Sequence, residues 1–168
     1  MKFIHISILF MFCSVIIGLL PDLFRYTISQ NNKQNSPALV LYVNDITQID
    51  GFMIVGNFKI PVSLARNETE RIKGLSGTHS MPNKYGMFFD FEHSDYQSMW
   101  MKDMLFPIDI VWIDEDYKIV HIEKDISPDT YPKIFTAPVK ARFVLELNAG
   151  MSTDYNLQTG DSISLELK

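Results

Sequence analysis

The residues best suited to chemistry stand inside a largely apolar run, Ser98 to Ile113, which reads SMWMKDMLFPIDIVWI. In an extended conformation Trp100 and Lys102 share one face, and Met99 and Met101 share the other. The Trp100 indole can then serve as a ligand platform with one orienting N–H donor, and Lys102 as an anion contact. The plainer role is a core or rim Trp beside a Lys whose stem lies along apolar surface. Asp109 projects opposite to Ile108 and Ile110. Near the start of a buried strand, its carboxylate can accept from Lys102, Arg142 or turn amides. Burial there could raise its pKa enough for proton transfer, while the structural alternative is capping of local backbone amides.

Arg142 and Glu146 are four apart, which in a strand places them on one face with Val144, and His121 and Glu123 share a face of another strand. The candidate ligand-binding set is therefore Trp100, Lys102, Asp109, Arg71, Arg142 and Glu146. A carboxylate pair, Asp109 with Glu146 or Glu123, could hydrolyse an envelope glycan if both groups faced one cleft at roughly 5 to 10 Å. An ordinary solvent-facing strand surface accounts for the same residues without chemistry. Met81, Met87, Met99, Met101 and Met104, with His79 and His93, offer ligands of the kind copper(I) takes. Their spacing matches no metal motif, and Met is a routine filler of irregular cores. No His-Glu-x-x-His run, phosphate loop, dinucleotide fingerprint or nucleophile elbow occurs, so no metal or cofactor is expected.

Short strands must position these residues. Met53 to Val55 and Phe58 to Leu64 flank Gly56-Asn57, a dipeptide suited to a hairpin turn. Pro61 predicts a place at the sheet edge for the second of them. Asn67 followed by Glu70 predicts a capped helix start, and Gly74 its end. Strands are predicted over Gly86 to Phe91, Tyr96 to Met101, Pro107 to Ile113, Tyr117 to Lys124 and Ala141 to Leu147. Asn148 to Tyr155 reads as a short helix. Gly160-Asp161 then turns into a last strand with Ile163, Leu165 and Leu167 inward. Several strands are apolar on both faces, as in a sheet covered on both sides. The pattern predicts a mainly β fold, a small β-sandwich or partly closed barrel with one or two short helices.

The first residues form a separate unit. Phe3 to Leu20 carries no charge and is about the ~20 residues that cross a bilayer core. It lacks the small-x-small exit of a cleaved signal, so residues 1–29 are expected to be a single transmembrane anchor and its flank, with secretion after cleavage as the alternative. The polar stretch 30–36 is expected to be a flexible spacer, and 37–168 one β-rich domain, outside the cytoplasm on the thin charge asymmetry around the anchor. The lone Cys13 lies in the apolar run, leaving the domain without disulfides or thiolate metal sites. With 15 basic against 20 acidic residues in a chain of 168, and no basic cluster, nucleic acid is not an expected partner.

From about Glu70 to Leu165 the chain resembles the bacterial and archaeal family called domain of unknown function 192. The resemblance rests on Arg71, Gly74-Leu75, Gly86-Met87-Phe88-Phe89, Trp100-Met101-Lys102, Pro107-Ile108-Asp109-Ile110, Ile119, Pro128, Ala141, Val144-Leu145-Glu146-Leu147, Ala149-Gly150 and Gly160-Asp161. Ser76 stands where the family usually shows Met, and Asp103-Met104 replaces an Asn-Thr neighbourhood. The resemblance implies a mostly β, sandwich-like domain, often secreted or anchored by one apolar segment, with no established activity. Three functions fit: a membrane-tethered extracytoplasmic module binding a small anionic ligand or an envelope protein; an envelope hydrolase; or a structural envelope component presenting an edge strand.

Overall fold

Gly56-Asn57 turns the chain as the sequence predicts: β1 (Gly51–Val55) and β2 (Phe58–Ala65) pair antiparallel, with Val55 opposite Phe58. The computed structural model describes residues 48–168. The expected anchor and the spacer lie outside the described residues. Among those described, no helix is long and apolar enough to cross a membrane.

Helix α1 (Glu68–Lys73) starts on the predicted capping box. The Asn67 side chain accepts from the Glu70 amide at 2.9 Å, and the Glu70 carboxylate reaches back to the amides of Arg66 and Asn67. Two donors that would otherwise be orphaned at the first turn are thereby satisfied. The helix ends at Gly74 and forms part of the crossover that a parallel strand pair requires.

The remaining elements are β3 (Gly86–Asp95), β4 (Ser98–Trp100), β5 (Ile108–Ile113), β6 (Ile119–Ile126), β7 (Ile134–Thr136), β8 (Ala141–Asn148), α2 (Met151–Asp154) and β9 (Ile163–Leu167). Seven strands form one sheet in the order β6-β5-β8-β3-β2-β1-β9, and β4 and β7 form a two-stranded ribbon. Among the described strands, only β2 and β3 run parallel. The fold is mainly β, as expected, and the sheet is not closed. Its edges β6 and β9 meet through one bridge, Lys118 to Ser162, beside the Ile119 to Asp161 and Ile163 to Tyr117 backbone bonds.

Both faces of the sheet are covered. Met53, Ile60, Phe88, Val111, Leu145 and Leu147 fill one core. Phe89, Ile110, Trp112 and Val144 fill the other, beneath Met99, Met101, Met104 and Phe135. The alternation along β8 sends Leu145 and Leu147 one way and Val144 and Glu146 the other. Trp112 is fully buried, with its indole N–H donating to the Gln97 carbonyl at 2.9 Å.

Two expectations are corrected. Strand β2 is interior, between β1 and β3, although it carries Pro61. The ladder to β3 spans only Val62 to Ala65, so the missing N–H of Pro61 falls outside it. Leu167 does not point inward; it lies exposed near the end of an edge strand.

At Gly86, strand β3 comes close to β8. A Cβ there would lie 3.0 Å from the Glu146 carbonyl oxygen and from the Leu145 and Leu147 methyl groups. Gly86→Ala is expected to lower the unfolding free energy by about 1–3 kcal/mol, the usual cost of overpacking. Urea unfolding measures this, and an unchanged midpoint would show that the strand pair can relax.

Candidate functional site

Strand β8 lies between β3 and β5, and its register sets Glu146 opposite Met87 on one side and Ile110 on the other. Its cross-strand neighbours on that face are therefore apolar, and the residue is only 4 % exposed. Its Oε2 is buried without a hydrogen-bond partner. Burial alone pushes the Glu146 carboxyl up to about 8, because a charge loses its hydration there and nothing compensates. At neutral pH the group is mostly a protonated acid, both donor and acceptor.

This carboxyl sits at the base of a cavity of about 220 Å³, whose lining includes Arg71, Leu75, Phe89, Met99, Trp100 and Met104. The turn after α1 is tied to the loop after β4: Ser76 Oγ donates to the Lys102 carbonyl at 2.9 Å, and the Gly77 amide to that of Asp103 at 2.7 Å. Asp103 meets this docking with φ +55°, a left-handed conformation that Asp tolerates better than most residues. In the ribbon, Met99 turns inward and Trp100 outward, beside Ile134 on β7. Trp100, 46 % exposed, and the more exposed Ile72 stand at the mouth.

The structure brings Glu146, Arg71 and Trp100 together and separates the other expected site residues. Lys102 is exposed and does not line the cavity, so the anion contact expected of it has no counterpart there. Asp109 lies opposite Leu147 while Glu146 lies opposite Ile110, so the two carboxyls occupy opposite faces of the sheet. The Asp109/Glu146 pair required for hydrolysis is not formed. Asp109 instead accepts from the amides of Asp125 at 2.8 Å, Gly150 at 3.2 Å and Ser152 at 2.9 Å. It is fully buried and fastens the turn before α2 to β5 and β6, which is the capping role weighed for it.

Glu123 does share a face with Glu146, but it lies two strands away, beyond Ile110, and is engaged by His121 at 3.3 Å. It is not part of the cavity lining. Arg142 is structural as well. The β3–β8 ladder breaks between Asp90 and Asp95, and Arg142 donates there to the Phe91 carbonyl and to the Asp90 carboxylate. Arg71 donates to the Asp90 and Arg66 carbonyls, and its guanidinium lies 5.5 Å over the Phe91 ring. Both arginines thus replace backbone donors that the irregular strand lacks.

Period-2 alternation correctly placed Glu146 beside Arg142 and Val144, but the surface reading fails for Glu146. What covers it, the turn after α1 and the β4–β7 ribbon, is distant in sequence. Leu75, Phe89, Phe91 and Met104 were not singled out as site residues; only the assembled walls identify them.

Residues 53–165 match DUF192, a family described as uncharacterized ACR. The chain belongs to the DUF192 family. No curated relative matches it. Two crystal structures resemble this DUF192 domain. One, from Sinorhizobium meliloti, carries a provisional description as a transcription regulator. It is 28% identical, with a TM-score of 0.64, over 70% of this chain and 92% of the other. The second is a protein of unknown function from Novosphingobium aromaticivorans, 24% identical with a TM-score of 0.66, over 80% of this chain and 99% of the other. The second likeness speaks to the fold alone.

Proposed function

We propose that this DUF192 domain is a small-molecule binding module, held at the cell membrane by the apolar segment Phe3 to Leu20 and displayed outside the cytoplasm. The observation that carries the binding reading is the unpartnered, buried Glu146 carboxyl at the base of a cavity with Trp100 at its mouth. Keeping an ionisable group unpaired in an apolar setting costs free energy, and a group so perturbed inside a cleft marks a functional site. The volume suits a ligand smaller than the drug-sized molecules that fill typical pockets of 300–1,000 Å³. The provisional description of the Sinorhizobium relative does not redirect this reading toward DNA, because 15 basic residues against 20 acidic ones form no cluster to meet phosphates.

The test is native mass spectrometry of the full chain, released from detergent after gentle purification from its own host. A retained small molecule is expected, and Trp100→Ala is expected to weaken its binding about tenfold, the loss of one aromatic contact. The same substitution should leave the unfolding free energy within about 0.5 kcal/mol, as exposed positions usually do. Loss of the fold in Trp100→Ala would instead assign the residue to the core.

A further inference from the structure

We propose that the cavity selects a small organic cation, an ammonium group seated against the Glu146 carboxylate and the aromatic rings around it. The proposal rests on the binding reading above and names its ligand class. The cationic side chains that line the cavity are already committed: Arg71 to the Arg66 and Asp90 carbonyls, Lys73 to the Ser76 carbonyl. Neither contributes to the perturbation of Glu146, whose cause is burial. The lining thus holds two acids, Glu68 and Glu146, beside two cations whose hydrogen bonds are made elsewhere, and Oε2 of Glu146 is left without a partner.

An anionic ligand would gain nothing from the negative ring faces in the lining, and would hold Glu146 in its protonated form. A wholly apolar ligand would leave Oε2 unpaired, at the full cost of a buried unsatisfied group. A cation supplies what the site lacks, and the walls favour it. Trp100 and Phe89 line the cavity with Met99 and Met104, beside Phe91, whose ring already carries the Arg71 guanidinium. Ring faces attract ammonium groups, Trp most strongly, and the attraction grows on desolvation. On binding near neutral pH, Glu146 gives its proton to solvent and pairs with the cation.

Isothermal titration of the full chain with choline, with its uncharged carbon isostere 3,3-dimethylbutan-1-ol, and with acetate tests this. Choline is expected to bind at least about tenfold more tightly than the isostere, the value of one desolvated cation contact. Its affinity should rise about tenfold from pH 6 to pH 7 and level off above the carboxyl's pKa, with nearly one proton released per choline at pH 7. Heats measured in two buffers of different ionisation enthalpy count that proton. Glu146→Gln should abolish both the preference and the proton release. Trp100→Phe should keep the preference and Trp100→Leu lose it, while the isostere binds both alike. Isostere or acetate binding as tightly as choline would overturn the ligand class and leave the cavity a binding site. Failure of choline to bind would overturn the ligand class, while a small molecule retained in the native mass spectrum would still uphold the binding reading.

Discussion

Asp109→Ala is expected to destabilise the domain by about 4 kcal/mol, among the largest effects of any single substitution here. The carboxylate is fully buried and accepts from three backbone amides, those of Asp125, Gly150 and Ser152. Bonds to a charged acceptor contribute about 1.5–3 kcal/mol each, and each donor left unsatisfied in the interior adds its own desolvation cost. These amides belong to separate segments: the β6 end that pairs with β5, and the turn that leads β8 into α2. Losing Asp109 loosens both at once.

Asp109→Asn is the sharper variant. It keeps the volume and one acceptor oxygen, but turns an NH2 toward an amide donor. The expected loss is about half that of Ala, since some of the bonds survive. Equilibrium urea unfolding of wild type, Asn and Ala variants gives the comparison. Because Asp109 lies on the face away from the cavity, binding by the folded fraction should be unchanged in both. Weakened binding in the folded fraction would contradict the assignment of Asp109 to structure alone.

Asp109 also shows where the sequence is legible. Its alternation with Ile108 and Ile110 placed it on the correct face, and amide capping was one of the roles open to it. Local rules served equally well where the physics is local. The Asn67/Glu70 capping box, the Gly56-Asn57 hairpin and the placement of Met99 and Met101 on the face opposite Trp100 and Lys102 all stand as read.

The rest depends on contacts between segments far apart in sequence. Pro61 signals an edge only if a ladder needs its amide, and the short reach of β3 along β2 removes that need. Strand β7 has just three residues, Ile134 to Thr136, and exists through its pairing with β4. Glu146 reads as a surface residue because Arg142 and Val144 on the same face allow either setting. The ribbon and the α1 turn, not the strand pattern, decide that it is buried.

The same burial makes stability depend on pH in a direction opposite to that of a salt-bridged carboxylate. The folded-state pKa of Glu146 is about 8, against an ordinary value of 4.5. Between those values the native chain holds a proton that the unfolded chain releases, so raising the pH favours unfolding. The contribution of Glu146 is therefore most favourable below pH 4.5, falls by about 1.4 kcal/mol per pH unit up to about pH 8, and is flat above. Across the window the loss reaches about 5 kcal/mol. Glu146→Gln has no proton to lose. Its buried amide has a fixed cost, because its hydrogen bonds are no better met than those of the acid, but that cost does not vary with pH.

The difference in unfolding free energy between variant and wild type should therefore shift steadily in favour of Gln from pH 5 to pH 8. Other titrating groups cancel in the comparison. Urea unfolding of both proteins at pH 5, 6, 7 and 8 measures the slope, and a difference that stays constant with pH would place Glu146 in contact with water or a cation in the folded protein. Choline at saturating concentration should reduce the slope in wild type alone, since pairing with a cation restores the charged form that burial disfavours.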